Sequence, residues 1–166
     1  ANPEMLKVAI KHKPNFVCIV PEKRNEVTTE GGLNLKKNIN KLKLTIKALN
    51  KNNIRTSLFI NPLKIDIKIS KLLNVKCIEL HTGKISNQIK QNKKFNAEFK
   101  NIKSCAKYAK SLGLEVHAGH GMDYRTAKVL SKIKEIEEFN IGHFIIGESI
   151  IFGLKKVISR FKKILK

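Results

Sequence analysis

Apolar residues recur along the chain in two alternating patterns. Between residues 35 and 50 they fall at helical spacing, at Ile39, Leu42, Ile46 and Leu49, which predicts an amphipathic helix. Short, mostly apolar runs bounded by Pro, Asn or Gly are typical of buried strands. The two patterns predict helices over residues 3–12, 35–50, 65–73, 99–112, 124–133 and 154–165. They predict strands over residues 15–20, 54–60, 75–80, 113–121 and from 139 into 147, while residues 86–96 form a loop or a short inserted helix.

The predicted elements alternate, because one helix is followed by five strand–helix units. This order indicates a parallel α/β protein. Two architectures are open: a complete doubly wound sheet, or part of a TIM (β/α)8 barrel, which usually needs about 250 residues. Glu79 and His81 share one face of the third strand, and Glu115 and His117 share one face of the fourth. Helices cover both faces of a doubly wound sheet and would make these groups costly to bury, so the pattern favours the barrel.

Glycines and histidines stand together where the fourth and fifth predicted strands end. Gly119, His120 and Gly121 close the fourth strand, and Gly142 and His143 lie at the fifth. A further glycine at position 147 precedes the last helix. Parallel α/β folds build their active sites at the carboxyl ends of strands. An imidazole suits proton transfer, and glycine N–H groups beside a helix N-terminus suit a phosphate group. The alternative is that His120 only caps the fourth strand or packs in a core.

The segment at residues 21–32 is polar and longer than a tight turn between a strand and a helix. It contains Arg24, Thr28, Thr29 and a Gly-Gly pair at 31–32. Loops of this length are usually functional lids or disordered linkers. The composition predicts a loop that engages an anionic substrate and hinges over it. A solvated excursion without function is the alternative.

Composition narrows the classes of function. A chain of 166 residues with 42% hydrophobic content is long enough for one domain with a core. The net charge of +21 invites a nucleic-acid partner. However, the lysines are spread over every predicted helix, and Ile and Asn, which also have A/T-rich codons, are abundant too. A solvated surface shaped by genome composition is therefore the favoured interpretation.

Targeting and metal signals are weak. No apolar run approaches the length of a membrane span, and the N-terminus lacks the plan of a signal peptide. Cys18, Cys77 and Cys105 are widely spaced without a Cys-x-x-Cys pair, which predicts a reducing, cytoplasmic environment rather than a disulfide framework or a zinc site. His117 and His120 lack a third ligand in the sequence and are weak evidence for a metal pair.

Seven motifs follow one another in a fixed order. They are Pro-Glu-Lys-Arg at 21–24, Thr-Thr-Glu-Gly-Gly at 28–32, Ser-Leu-Phe-Ile at 57–60, Glu-Leu-His-Thr-Gly at 79–83, His-Ala-Gly-His-Gly at 117–121, Asn-Ile-Gly-His at 140–143 and Ile-Ile-Gly at 145–147. On these motifs the sequence resembles the pyridoxine 5'-phosphate synthase family over nearly its whole length.

The resemblance implies a TIM barrel and a ring-closing reaction. Enzymes of this family join 3-amino-2-oxopropyl phosphate to 1-deoxy-D-xylulose 5-phosphate, closing the pyridine ring of vitamin B6 and releasing phosphate and water. By resemblance, His120 is the proton-donating histidine, Gly121, Gly142 and His143 bind the amino-ketone phosphate, and Thr28 contacts the deoxyxylulose phosphate. No metal and no organic cofactor is implied, and the full-length family is expected to form a cytoplasmic homo-octamer.

Segments of the family's first three strands have no counterpart in the sequence. These are an Asn-x-Asp-His, a His-x-Arg-x-Asp and a Glu-Met-Ala segment, which supply one histidine and one glutamate of the proton-transfer set. We therefore expect residues 1–166 to be a single partial barrel domain holding strands 4 to 8, a fragment that is inactive alone. Two alternatives remain: a basic α/β module that binds nucleic acid without catalysis, and another phosphosugar barrel enzyme.

Overall fold

The computed structural model describes residues 2–21 and 31–165. Helices and strands alternate in it as the hydrophobic pattern predicts. In chain order the elements are α1 (Pro3–His12), β1 (Phe16–Ile19), α2 (Leu35–Lys51), β2 (Arg55–Ile60), α3 (Lys64–Leu72), β3 (Cys77–His81), α4 (Gly83–Lys90), α5 (Asn96–Ser111), β4 (Glu115–Gly119), α6 (Tyr124–Leu130), β5 (Glu138–Asn140), α7 (His143–Phe152) and α8 (Leu154–Ile164).

The strands form one parallel sheet whose order across the sheet equals their order along the chain, from β1 to β5. A doubly wound sheet reverses its direction of growth partway, so its strand order departs from the chain order. A sheet that grows in one direction only is wound as a barrel is wound. In the described residues β1 and β5 each pair on one side, so the fold is an α/β half-barrel of five parallel strands.

The two faces of the sheet differ in polarity. One face packs on the helices and is apolar; fully buried side chains on it are Leu58, Ile60, Ile78, Leu80, Val116 and Ala118. They meet the apolar stripes of the flanking helices, among them Leu42, Ile46, Ile102 and Ala106. Burying each large aliphatic side chain contributes about 1.5–3 kcal/mol. The opposite face carries the polar groups, as the alternation of Glu79 with its apolar neighbours predicts.

Side-chain caps explain where three helices begin. Asn2 Oδ1 accepts a hydrogen bond from Glu4 N ahead of α1. Asn34 Oδ1 accepts from Lys37 N ahead of α2, and an aspartate, Asp123, accepts from the backbone of α6. Asn and Asp are preferred at this position because their oxygens satisfy N–H groups that the first turn leaves unpaired.

The end of the fifth strand was predicted wrongly. The apolar run after position 139 predicts a strand continuing to 147, whereas β5 ends at Asn140 and α7 begins at His143. Asn140 lies opposite Gly119, the last residue of β4, so a longer β5 would extend past the strand that it pairs with among the described residues. A helix instead satisfies its own backbone groups. Gly147 therefore lies inside α7, and it is Gly153 that precedes α8.

Two smaller differences concern helix bounds. The segment predicted as a loop or short helix at 86–96 contains a helix, α4, which begins earlier, at Gly83. The helix predicted over 124–133 ends at Leu130. Among the described residues, no helix combines the length and the apolar character needed to cross a membrane.

Candidate active site

The polar face of the sheet is densest in charge near the start of the strands. His117 is buried there, with its ring stacked on Phe16 at 5.4 Å between centroids. Its Nε2 lies 2.8 Å from Glu115 Oε1, and its Nδ1 lies 3.2 Å from Glu138 Oε1, outside hydrogen-bond geometry. Arg55 forms an ion pair with Glu115 and lies over the Phe16 ring. We call these five residues the lower network.

Glu79 lies on the polar face of β3, directly opposite His117 in the strand register, and is 8% exposed. Its Oε2 accepts a hydrogen bond from Asn140 Nδ2 at 2.9 Å, and the Cys18 thiol donates to the same oxygen at 3.4 Å. Burial raises the pKa of the Glu79 carboxyl, although both hydrogen bonds act to lower it. Gly119 is required beside it, because a Cβ there would stand 1.8 Å from Glu79 Oε1.

The carboxyl end of β4 turns sharply at His120. Its φ is 83°, a left-handed value that residues with side chains seldom adopt, and Gly121 follows with φ 75°. The His120 ring lies 4.9 Å from the His81 ring and 6.3 Å from the Phe59 ring, measured between centroids. The turn thus carries the His120 imidazole across to the end of β3.

His81 differs from His120 in its surroundings. Its Nε2 is buried without a hydrogen-bond partner among the described residues, and Phe59 packs edge-on against its ring. Burial, and then the neighbouring His120, lower the pKa of His81 to about 4. His81 is therefore neutral at neutral pH and adds no positive charge beside His120.

A cavity of about 320 Å³ opens beside His120 at the carboxyl ends of β4 and β5. Its walls come from the turn after β4, from the start of α7 and from the last residue of α4. The lining residues are Lys90, His120, Gly121, Met122, Asn140, Ile141, Gly142, His143 and Phe144. We call it the upper cavity.

Four of the five site residues that the sequence predicts line the upper cavity. His120 and Gly121 reach it from the turn after β4, and Gly142 and His143 reach it from the N-terminus of α7. Position 142 faces open space, because a Cβ there would meet no atom within 4 Å. The fifth predicted residue, Thr28, lies outside the described residues, as does Arg24.

Several contributors to the site were not predicted as site residues, although Thr82, Gly83 and Asn140 lie in the motifs at 79–83 and 140–143. Thr82, Gly83 and Ser86 contact the turn that carries His120, Asn140 joins Glu79 to the upper cavity, and Lys90 lines its edge. The Thr-Gly pair directly after His81, at the end of a strand, was the available signal. The pair contributes to the site because it lies beside the end of the next strand, β4. A single sequence does not show that the two strand ends are close together.

One trio among the described residues comes close enough to hold a metal ion. Cys77, Glu115 and His117 offer a thiol, a carboxylate and an imidazole within 4.8 Å of one another. Burial raises the pKa of Cys77 to about 12, so the thiol is protonated, and Glu115 is already engaged by Arg55 and His117. The donor set is thus better described as a hydrogen-bonded network than as a metal centre. The pair predicted as a weak alternative, His117 with His120, is not part of any such group in the described chain.

A second cavity of about 370 Å³ lies along the β1 edge, between α1 and α2. It is lined mostly by apolar groups, including Met5, Leu6, Val17 and Leu49. His12 and Cys18 are the ionisable groups that line it, and burial raises the pKa of the Cys18 thiol. This groove has the character of an uncovered core edge rather than of a site for a charged substrate.

Comparisons with known proteins agree on one family. The family model described as pyridoxal phosphate biosynthesis protein PdxJ matches residues 1–166. The pyridoxine 5'-phosphate synthase of Pelagibacter ubique is 63% identical over 163 residues, which cover 98% of this chain and 68% of that protein. The synthase of Zymomonas mobilis is 47% identical over 165 residues, covering 99% of this chain and 64% of that protein. The chain therefore spans about two thirds of the length of these relatives.

A solved structure supports the fold independently. The crystal structure of citrate synthase SbnG superposes with a TM-score of 0.55 and covers 99% of this chain and 69% of that chain. The two sequences are 11% identical, so the likeness extends to the α/β fold and not to the reaction.

Proposed function

Because the chain belongs to the family of pyridoxal phosphate biosynthesis protein PdxJ, we propose that it serves as a pyridoxine 5'-phosphate synthase. The substrates implied by the resemblance are 3-amino-2-oxopropyl phosphate and 1-deoxy-D-xylulose 5-phosphate. The observation that carries the proposal is the upper cavity, in which an imidazole stands beside glycines and a helix N-terminus. That combination suits a small phosphorylated substrate that must receive or lose a proton.

His120 is the proton donor in this proposal. His120 lines the upper cavity, and its ring lies beside a neutral His81. An imidazole can give up and regain a proton near neutral pH, and a positioned general acid contributes about 10²–10⁴-fold to rate. Condensation of an amine with a ketone and loss of water both require such transfers.

Glu79 is the second proton-holding group of the proposal. Its raised pKa favours the protonated carboxyl at a higher pH than an exposed glutamate would show. Asn140 connects it to the cavity by the 2.9 Å hydrogen bond. A buried acid that is hydrogen-bonded to a residue of the cavity wall can, when ionised, stabilise positive charge that develops on the condensing amine.

The phosphate of the amino-ketone lies, in this proposal, against Gly121, Gly142 and His143. The ten-residue helix α7 begins at His143, and the N–H groups of a first helical turn attract anions. Lys90 adds a cation at the edge of the same cavity. Thr28 is proposed to contact the phosphate of the second substrate.

We propose that residues 1–166 form one barrel domain whose five strands are strands 4 to 8. About one third of the length of the relatives lies outside the matched region. The apolar groove at the β1 edge and the exposed Ile146, Ile150 and Ile151 of α7 support coverage of both edges by further structure. A homo-octamer in the cytoplasm is the assembly proposed for the complete enzyme, and light scattering on the complete enzyme tests it.

Family membership favours the synthase over the nucleic-acid module. The lysines and arginines of the described helices are distributed along α2, α5 and α8. A surface of this kind explains the charge of +21 without a dedicated nucleic-acid groove.

The test replaces the matched region of the Pelagibacter ubique synthase by this chain and measures formation of pyridoxine 5'-phosphate. The chain alone is assayed in parallel, with His120→Gln in both settings. The proposal expects product from the replacement and a large loss with His120→Gln. A folded replacement that forms no product would contradict it, and activity of the chain alone would show that the sequence-based expectation of inactivity is wrong.

A further inference from the structure

His120 has a backbone conformation that its own sequence does not favour. Four other non-glycine residues in the described chain have positive φ, namely Lys13, Asn53, Asn74 and Asn92. Each of the four lies at the C-terminus of a helix, where a left-handed residue is common. His120 instead ends a strand, with φ 83°. A side-chain-bearing residue keeps such a conformation only when its surroundings hold it there.

Thr82 makes the contacts that hold His120 in this conformation. Thr82 Oγ1 lies 2.7 Å from Gly119 O and 2.8 Å from His120 O, within hydrogen-bond distance of both carbonyls. The Thr82 backbone N–H donates to Gly119 O at 2.9 Å. These carbonyls belong to the two peptide groups on either side of the His120 Cα. Rotation about φ or ψ of His120 moves one of them relative to the other, so a residue that holds both carbonyls restrains both angles.

Thr82 has a separate donor for each of the two carbonyls, so its hydroxyl does not need to serve both acceptors at once. Thr82 Oγ1 has one proton, and the Thr82 N–H already satisfies Gly119 O. The hydroxyl proton is thus available to His120 O. Ser86 Oγ lies 3.4 Å from the same oxygen, but it donates at 2.8 Å to Thr82 O and so secures Thr82 itself.

Packing reinforces these contacts at the start of α4. A Cβ at Gly83 would stand 2.8 Å from His81 Cε1 and 3.0 Å from His120 Cδ2. Both imidazoles therefore press against the first turn of α4, and only glycine leaves them room. Thr82 and Ser86 are fully or almost fully buried, which keeps water from competing for the carbonyls.

We propose that Thr82 is the positioning residue for His120, holding both peptide groups that flank it so that its imidazole stays at the upper cavity. The inference rests on the proposed function for its catalytic consequence. Between two glycines the histidine would otherwise sample many orientations. A misplacement of about 1 Å costs about 10²-fold in rate, so the restraint acts on turnover more than on substrate binding.

The experiment compares Thr82→Val, Thr82→Ser and Ser86→Ala with the unmodified chain. Thr82→Val keeps the shape and removes the hydroxyl, whereas Thr82→Ser keeps the hydroxyl. Thr126→Val is the matched control, because Thr126 is buried and its Oγ1 has no hydrogen-bond partner among the described residues. NMR reads the strong intraresidue NOE between the amide proton and Hα of His120 that a positive φ produces. The assay of the proposed function, carried out on the same substitutions in the replacement enzyme, reads kcat and KM.

The proposal expects Thr82→Val to lose the NOE and to split or broaden the His120 imidazole signals, with Thr82→Ser and Thr126→Val unchanged. It expects kcat to fall about 10–100-fold in Thr82→Val with KM within about threefold, and Ser86→Ala to show a smaller effect of the same kind. An unchanged NOE in Thr82→Val, or the same loss in Thr126→Val, would overturn it. If the replacement enzyme without these substitutions forms no product, the proposed function fails, and the NMR result decides the positioning role by itself.

Discussion

The two ends of the strands both present basic residues around a cavity, yet they are built for different tasks. At the amino ends, a cavity of about 480 Å³ is lined by Arg55, Lys76 and Lys110. Two of these cations already have carboxylate partners, because Arg55 pairs with Glu115 and Lys110 pairs with Glu137. At the carboxyl ends, the smaller upper cavity gathers Lys90, two histidines and glycine backbone.

His117 on β4 and His120 in the turn directly after it show the difference most clearly. His117 lies between two carboxylates and an aromatic ring, fully buried, on an ordinary strand backbone. His120 stands on a left-handed turn beside a neutral histidine and an open cavity. Charge paired within a buried cluster stabilises a fold, whereas a titratable group held in an unfavourable conformation at a cavity is placed for chemistry.

The largest effect should come from removing the upper imidazole. His120→Gln keeps a polar side chain but removes the imidazole proposed to transfer the proton, so we expect product formation to fall about 10²–10⁴-fold. Stability should stay within about 0.5 kcal/mol, because the side chain is only half-buried. Steady-state kinetics and urea unfolding measure the two quantities, in the replacement enzyme and in the chain itself. Full activity of His120→Gln would contradict the distinction between the amino and carboxyl ends of the strands.

Gly119→Ala should disrupt the hydrogen bonds of Glu79, which connect the polar face of the sheet to the upper cavity through Asn140. The new methyl would stand 1.8 Å from Glu79 Oε1 and force the carboxyl off its hydrogen bonds to Asn140 and Cys18. We expect a loss of about 1–3 kcal/mol in the free energy of unfolding, measured in urea.

Gly147→Ala serves as the control for that substitution. It adds a methyl inside α7 where nothing lies within 4 Å, and it should stabilise the protein by about 0.5–1 kcal/mol. Equal effects of the two alanines would show that the close approach at Gly119 is not needed.

His117→Gln should reverse the pattern of His120→Gln. Loss of the stacked ring and of the Glu115 contact is expected to cost about 1–2 kcal/mol of stability. Rate per folded molecule should remain within about threefold. A variant that kept its stability and lost its activity would place the lower network in the reaction and remove the distinction.

The smallest effect concerns pH. The pKa of His81 is lowered to about 4 in the folded protein from an ordinary 6.5, so between these values the unfolded chain binds more protons there. Its contribution to stability is therefore present above pH 6.5 and is lost as the pH falls towards 4. Glu79, with its raised pKa, acts in the opposite direction, so wild type must be compared with His81→Gln.

Across that pH window the difference in unfolding free energy between wild type and His81→Gln should change by about 1 kcal/mol, after allowance for solvent screening of a half-exposed group. Urea unfolding at several pH values measures it. A difference that does not vary with pH would mean that His81 titrates normally and that the His81–His120 pair carries charge.

Local pattern was enough to predict most of the fold and the position of His120. The strands could be predicted because apolar and polar residues alternate on β3 and β4, as Glu79 and His117 show. The helix α7 could not, because Phe144, Ile145 and Ile146 suit a strand equally well, and the choice depends on where the neighbouring strand β4 ends.

The restraint on His120 could not be predicted from a single sequence, for a different reason. Thr82 and the carbonyls that it contacts are 37 and 38 residues apart in the chain. They meet because parallel strands end at the same edge. The requirement for glycine at position 119 likewise depends on the Glu79 carboxylate across the sheet, which no local propensity encodes.

The most direct test of the account is an NMR titration of the labelled chain with 3-amino-2-oxopropyl phosphate, with inorganic phosphate as the reference ligand. It asks which end of the sheet binds the phosphorylated substrate. The account predicts chemical-shift changes grouped at residues 120–122 and 140–144, around the upper cavity. Changes grouped instead at Arg55, Lys76 and Lys110 would contradict it, because the substrate would then bind at the amino ends of the strands.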